Sequence, residues 1–346
     1  MSRPDHLEEN VPLGPLTTLG VGGPARFLLN ADSEDAIVQG FEFARSHDLP
    51  VFVLGGGSNI LASDRGFDGL VIRVELRGIS RNDDGTITAA AGEGWDELVA
   101  DRVDQGFAGV ECLSGIPGTV GGTPVQNVGA YGQEVSESIV SVRCFDRRDC
   151  QIVDLANNEC GFSYRTSIFN TAERDRYVVV TVTFQLVPNG MPKIVYRDLI
   201  EHFAGREPTL AETREAVLAI RRSKSMVIDL DDPNHRSAGS FFKNPIVLRD
   251  QFEVIASRYG GEVPSFPAGE GAVKIPAAWL IEHAGFHKGY AMGAAGISTN
   301  HTLAIINRGD ATAANILALA TAIQTAVGNE FNIALTPEPV FVGDLY

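Results

Sequence analysis

LSGIPGTVGGTPVQNVGAYGQE, residues Leu113 to Glu134, holds six glycines and two prolines, a density that leaves room for neither a helix nor a long strand. The stretch reads as a shaped backbone loop. Glycine permits positive φ and lets a ligand come close to the main chain, and successive exposed N–H groups in such a turn form a concavity that attracts anions. A phosphate-bearing ligand is the expectation to be weighed against a plain cluster of turns.

A second glycine turn lies upstream. Pro50 introduces the apolar run Val51-Phe52-Val53-Leu54, which stops abruptly at Gly55-Gly56-Gly57-Ser58-Asn59. A strand that delivers its C-terminal end into a glycine turn presents backbone N–H groups to a phosphate. However, Ile60 stands where a GxGxxG pattern needs its third glycine, and Leu70 to Val74 reads as another strand, so a Rossmann dinucleotide site is disfavoured. Two glycine turns far apart in sequence suit one long ligand held by both.

The 346 residues are enough for two or three domains, each able to bury its own core. The hydrophobic fraction of 44% excludes wholesale disorder, and no apolar run approaches the roughly 18 residues needed to cross a bilayer. The leader MSRPDHLEEN is polar and acidic, without the apolar centre of a secretory signal, so a cytoplasmic protein is expected. The four cysteines show no CxxC spacing and read as small buried hydrophobes in a reducing compartment. A net charge of -16 argues against nonspecific attraction to nucleic acid or an anionic membrane, because both need a basic surface. An anionic ligand would have to find positive charge gathered locally.

Along the chain, Ala25 to Asn30 reads as a strand and Ser33 to His47 as a helix, with Asp32 or Ser33 as its cap. Gly85 to Gly92 is an expected strand, and Trp95, Leu98, Val99 and Val103 mark one face of a helix. Ile139 to Phe145 and Gln151 to Leu155 form an expected hairpin, and Tyr177 to Val187 is the clearest strand. Residues 189 to 208 read as a loose connection, after which Thr209 and Glu212 make a capping box for a helix reaching Arg221. Met226 to His235 reads as a linker and a domain boundary. Beyond it, Phe252, Ile255, Ala256 and Tyr259 share one helical face, and Pro276 to Gly285 shows a proline start and a glycine stop. Leu303 to Asn307 reads as a strand, and Ile316, Leu319, Ile323 and Val327 stripe a final helix that Gly328 should stop. The mixture is α+β. His283 and His287 are four apart, but Gly285 lies between them and no third ligand at a zinc spacing follows, so no metal is expected.

Several polar groups stand in unusual settings. Arg165 lies among Phe162, Tyr164 and Phe169, either as a packed surface group or as a planar clamp for a carboxylate. The run Arg221-Arg222-Ser223-Lys224 can complement a helix dipole or form part of an anion site. In SAGSFFKNP, residues 237 to 245, the hydroxyl of Ser240 is held beside two phenylalanines, a lysine and an asparagine. Glu338 sits between Pro337 and Pro339, where the backbone is stiff and extended and its carboxylate is aimed in one direction.

The segments LGGGSN, the glycine loop, YRTSIF, GSFFKNP and LTPEP occur in the order found in the UDP-N-acetylenolpyruvoylglucosamine reductase family, also called UDP-N-acetylmuramate dehydrogenases. The chain resembles that family from about residue 16 to about residue 343. The resemblance implies a vanillyl-alcohol-oxidase-type FAD-binding fold of two subdomains, residues 1–76 and 77–226, followed by a C-terminal α/β substrate domain, residues 227–346. It implies reduction of UDP-N-acetylglucosamine enolpyruvate to UDP-N-acetylmuramate for peptidoglycan, with bound FAD and with NADPH as cosubstrate, by a monomeric cytoplasmic enzyme. Because neither glycine segment contains a histidine that could attach to the flavin ring, the FAD is expected to be noncovalent.

The family's motifs carry its roles onto this chain residue by residue. Gly55, Gly56, Gly57, Ser58 and Asn59 match one FAD-binding turn. Ser114, Gly115, Ile116, Pro117, Gly118, Gly121 and Gly122 match the other, and Gln126, Asn127, Gly129, Ala130, Tyr131 and Gly132 continue it. Ser240 matches the proton donor for substrate C2 after hydride passes from flavin N5 to C3, and Arg165 and Glu338 match the pair that stabilises the developing enolate. Lys224, Lys243 and Asn244 match the UDP-binding positions, and Tyr196, in an insertion typical of the family's long form, matches a residue that closes over the diphosphate. Around Ser298 to Thr302 the family's substrate-contacting residue varies, and either Asn300 or His301 takes that place. Two competing readings are an oxidase on the same FAD fold, which would return electrons to oxygen, and a nucleotide-binding module without catalysis.

Overall fold

Tyr177–Gln185 is rich in β-branched residues, and its Val178, Val179, Val180, Val182 and Phe184 are buried. This strand lies at the middle of a five-stranded antiparallel sheet. It pairs with Ile139–Asp146 on one side and Thr86–Ala90 on the other, and Gln151–Ala156 and Ile79–Arg81 form the two edges. The structure is a computed structural model that describes residues 4–260 and 263–345. Residues 1–3 of the polar leader, residues 261–262, and residue 346 at the end of the expected C-terminal domain lie outside the described residues.

The chain divides into two compact units. The first comprises Met1–Val11, Ala25–Gly57 and Asp68–Ile228; the second comprises Pro12–Pro24, Ser58–Phe67 and Asp229–Tyr346. In the first unit a four-stranded sheet accompanies the five-stranded one, and within it Val51–Leu54 runs parallel to Phe67–Val74. Helix Glu34–Ser46 starts where the Ser33 hydroxyl accepts the Ala36 N–H at 3.2 Å, satisfying one of the donors a helix start leaves open. Its Ile37, Phe43 and Ala44 enter one continuous apolar core with Leu29, Ile72, Trp95, Val182 and Phe184.

Two expectations for the first unit are corrected. The loose connection contains a helix, Arg197–Phe203, because Leu199 and Phe203 are four apart and both bury against Cys112, Tyr131, Ala216 and Val217. Of the cysteines, Cys112, Cys144 and Cys160 are buried, but Cys150 is exposed at a hairpin turn with φ +53°.

The second unit has a separate core, built on helix Ala313–Phe331 and two small antiparallel three-stranded sheets. Val340–Val342 pairs in parallel with Ile60–Ala62, so the LTPEP tail leads into a strand laid beside the segment that follows the first glycine turn. Gly328 does not stop the long helix. Phe331 is buried and holds one more turn in place, and Asn332 ends the helix in the left-handed region at φ +54°, its N–H donating to Gly328 O at 2.9 Å. Asparagine tolerates that conformation. Pro276 occupies the N-cap of Ala277–His283, one position before the first helical turn.

The start of the long helix depends on a residue from far upstream. Both carboxylate oxygens of Asp64 accept N–H groups there, from Ala313 at 2.7 Å and Ala314 at 2.9 Å, and the negative charge also suits the positive end of the helix dipole. Asp64→Ala is predicted to lower unfolding stability by about 1–2 kcal/mol. An unchanged denaturant midpoint would contradict this role.

Candidate functional site

Within the first unit the two glycine turns meet backbone to backbone. A Cβ on Gly56 would stand 2.7 Å from the Cα of Gly118, and one on Gly55 would come 3.0 Å from Thr119 Oγ1. Gly57 has φ +66° and Gly118 φ +124°, conformations that side chains with a Cβ rarely adopt. The loop is fixed by Trp95, whose N–H donates to Gly118 O at 3.1 Å and whose indole Nε1 donates to Leu113 O at 3.2 Å. Gly121 abuts Ala91, leaving 2.6 Å between its would-be Cβ and the alanine methyl, whereas a Cβ on Gly122 would meet open space.

Not every residue matched to the cofactor offers its main chain outward. The Gly115 N–H donates to Asp96 at 2.5 Å, Gly121 N–H to Ala91 O at 2.9 Å, and Gly122 N–H to Thr119 O at 3.0 Å. Burial pushes the Asp96 carboxyl up, but the Arg214 fork and the Gly115 N–H together hold it below its ordinary range. Ser114 is buried, with its hydroxyl on Glu111 O. Asn127 is also buried and spends its side chain on Glu134, Ser163 O and the Ser136 N–H. These residues shape the loop. Ile116, Pro117 and Gln126 are half-buried around it. Ala130 and Gln133 pair across a two-residue hairpin in which Tyr131 and Gly132 both have positive φ, +48° and +81°, the geometry of a tight primed turn.

Arg165 stands against this loop. Its backbone is also left-handed, φ +54°, inside a turn closed by reciprocal 3.0 Å hydrogen bonds between Ser163 and Thr166. The guanidinium donates to Gly129 O at 2.6 Å and lies 5.4 Å from the centre of the Tyr164 ring. A non-glycine residue in this region is over-determined by its surroundings, and the surroundings here are the carbonyl of Gly129 and the Asn170 amide, which donates to Arg165 O.

A second polar group lies beside Tyr131. The Tyr196 ring meets the Tyr131 ring edge to face at 5.5 Å, and Lys224 Nζ is 2.8 Å from Asp198 Oδ2 and 6.0 Å from the Tyr131 ring centre. Burial pushes the Tyr131 phenol up to about 12 and raises that of Tyr196. Arg221, which the sequence placed among helix-end charges, is 5% exposed and packs under Gly115. Its Nη2 donates to Met226 O at 2.6 Å, while its Nε has no hydrogen-bond partner among the described residues. Burial lowers the proton affinity of this guanidinium, partly offset by Tyr131 and Asp96. The signal was present in the helical period, since Thr213, Val217 and Arg221 are spaced by four and all three are buried.

Within the second unit, GSFFKNP and the LTPEP tail share a backbone frame. The Glu338 N–H donates to Phe241 O at 2.9 Å, the Lys243 N–H donates to Thr336 O at 3.0 Å, and Phe242 bridges Pro337. Phe241 and Phe242 are both buried and meet at 5.2 Å, anchoring the segment so that half-buried Ser240 and Lys243 emerge on either side. Asn59 secures the tail, its side-chain amide donating to Glu338 O at 3.3 Å and its main-chain carbonyl accepting Val340 N–H at 2.9 Å. Asn244 Oδ1 accepts the Ala277 N–H at 2.9 Å, which commits that oxygen to a helix start. Ser240 Oγ and His301 Nε2 are 3.5 Å apart, whereas Asn300 is exposed. Ser240 and Glu338 are thus brought together within the second unit, and Arg165, Tyr196 and Lys224 belong to the first.

The residues around the paired turns fit a dinucleotide such as FAD: two main chains exclude side chains from their contact, and Gly122 opens onto space a Cβ would fill. Residues 25–156 match the family model of an FAD binding domain. The fold and this match define an FAD-binding protein of mixed helices and sheets.

Residues 231–342 match the family model of the UDP-N-acetylenolpyruvoylglucosamine reductase C-terminal domain. A UDP-N-acetylenolpyruvoylglucosamine reductase of Thermobifida fusca is 49% identical over 96% of this chain and 97% of its own length. That of Streptomyces coelicolor is 47% identical over 96% and 90%. The crystal structure of the reductase from Thermus caldophilus superposes with a TM-score of 0.67 at 27% identity, over 97% of this chain and 98% of that one. The chain belongs to the UDP-N-acetylenolpyruvoylglucosamine reductase family.

Gly56→Ala would force the two turns apart, because the atoms its Cβ meets are backbone. Overpacking of this kind costs about 1–3 kcal/mol, so the variant is predicted to hold FAD at least about fivefold more weakly while far-UV circular dichroism is retained. Stoichiometric FAD at wild-type affinity would refute the assignment of this contact to the cofactor.

Proposed function

We propose that the protein reduces UDP-N-acetylglucosamine enolpyruvate to UDP-N-acetylmuramate, a step in peptidoglycan precursor synthesis, with NADPH as the reductant and FAD held noncovalently. The observation that carries this reading is the frame joining Ser240 to Glu338 through the 2.9 Å bond between Glu338 N–H and Phe241 O, on a chain that also has an FAD-binding domain. FAD, when bound, supplies the hydride that adds to the substrate's C3. The division into FAD-binding subdomains 1–76 and 77–226 and a substrate domain 227–346, with monomeric and cytoplasmic action, is part of the same proposal.

Each remaining role falls to a side chain. Addition of hydride at C3 drives negative charge toward C2 and the carboxylate, and Arg165 offers a planar, permanently charged fork to that charge. Its left-handed backbone and its bond to Gly129 fix the fork before substrate arrives. Ser240 gives its proton to C2. A serine hydroxyl is a weak acid, and the transfer works because the enolate carbon is a strong base held at short range. Glu338, stiffened by a proline on each side, acts on the same carboxylate end when protonated or through an intervening hydrogen-bonding group. Lys224, Lys243 and Asn244 serve the UDP diphosphate, with Tyr196 folding over it. Lys224 is already paired with Asp198, so the diphosphate must displace or share that carboxylate.

Ser240→Ala is predicted to leave flavin reduction by NADPH unchanged and to slow reoxidation by the enolpyruvyl substrate by about 10²-fold or more, measured by anaerobic stopped flow. Equal slowing of both half-reactions would reject the assigned role.

A further inference from the structure

We infer that His301 is the positioning residue behind Ser240: it orients the serine hydroxyl and replaces its proton as that proton is passed on, an inference that rests on Ser240 being the proton donor. Its Nε2 lies 3.5 Å from Ser240 Oγ although the two residues are 61 apart in sequence. Catalytic hydrogen bonds are often long without substrate and shorten once it is bound.

The surroundings hold this pair in register. The Phe241 N–H donates to Leu303 O at 2.8 Å, tying the serine's own segment to the residue two after His301. The turn bearing His301 is closed on itself by Ser298 N–H to Ala304 O at 2.9 Å and Ala304 N–H to His301 O at 3.1 Å. Two side chains brace it from outside. Buried Asn234 accepts the Thr299 N–H at 2.9 Å, and Glu282, on helix Ala277–His283, accepts the buried Thr302 hydroxyl. Polar bonds therefore brace the turn on both flanks, one through buried Asn234 and one through buried Thr302.

The chemistry supplies a reason for the contact. As the Ser240 Oγ–H bond breaks and a C2–H bond forms, the Nε2–H bond of a protonated His301 ring breaks and Oγ–H is re-formed, so the serine is not left as an alkoxide. The neutral imidazole then regains its proton from solvent; no electrons change hands in this step. Histidine is suited to it because both of its protonation states are accessible near neutral pH. A direct substrate contact, the role the sequence resemblance leaves between Asn300 and His301, would instead show itself in substrate affinity.

The test uses holoenzyme photoreduced without oxygen and mixed with excess UDP-N-acetylglucosamine enolpyruvate, with His301→Ala, His301→Gln, Ser240→Ala and the Ser240→Ala/His301→Ala double variant. His301→Ala is expected to lower the limiting rate of flavin reoxidation about tenfold, with a half-saturating substrate concentration within about twofold of wild type. Added imidazole should restore much of that rate. The double variant should be no slower than Ser240→Ala alone, since the relay has nothing left to serve. His301→Gln, which keeps polarity but carries no transferable proton, should be slow and insensitive to imidazole, and it decides the matter if His301→Ala fails to retain flavin. An unchanged limiting rate in the histidine variants, a raised half-saturating concentration alone, or a slow His301→Ala that imidazole does not restore would each overturn the inference. A wild-type rate in Ser240→Ala would instead refute the role of Ser240.

Discussion

Main chain meets main chain at Gly56 and Gly118, and no side chain fits between them. Much of the first unit serves that contact. The parallel pairing of Val51–Leu54 with Phe67–Val74 delivers Gly55 at the end of a strand, and Trp95, 1% exposed in the core, reaches through its indole and its backbone N–H to hold the opposing loop. The contact explains why glycine is needed in both turns: φ beyond +60° at Gly57 and Gly118 and sub-van-der-Waals space at Gly56 each exclude a Cβ. The N–H groups of Gly115, Gly121 and Gly122 and the Asn127 side chain are spent on the protein and shape the loop, while at Gly122 a Cβ would meet open space.

In the second unit the corresponding constraint is the buried pair Phe241 and Phe242. Their packing fixes the backbone between Ser240 and Lys243, and hydrogen bonds from that backbone register it to Thr336 and Glu338 on one side and to Leu303 on the other. Three segments remote in sequence therefore share one rigid frame, with Ser240, Glu338 and His301 on it. Precise placement of a weak acid matters more than its intrinsic acidity when the acceptor is a strongly basic carbon, and the frame supplies placement.

What the sequence made legible is what depends on neighbours in the chain. The capping box at Thr209 and Glu212, the hairpin of Ile139–Asp146 with Gln151–Ala156, and the glycine turns follow from local chemistry and were readable there. Features set by distant partners were not. Helix Arg197–Phe203 is too short to announce itself by periodicity and exists because Tyr131 and Val217 offer a patch for Leu199 and Phe203. Gly328 resembled a helix stop only while the burial of Phe331 was unknown. Asp64 caps a helix that begins 249 residues later, and His301 reaches a serine 61 residues before it; neither pairing leaves a mark in a single sequence. Arg221 falls between these cases, because its four-residue spacing from Val217 placed it on the buried face although its charge argued for the surface.

The most direct measurement is an anaerobic titration of the purified, photoreduced protein with UDP-N-acetylglucosamine enolpyruvate, followed by absorbance and by identification of the product. The account predicts a yellow protein whose colour, bleached on reduction, returns with one equivalent of substrate per flavin and no oxygen, as UDP-N-acetylmuramate forms in equal amount. A protein that binds no flavin, or one whose bleached flavin stays bleached with the enolpyruvyl nucleotide and recovers only in air, would contradict it.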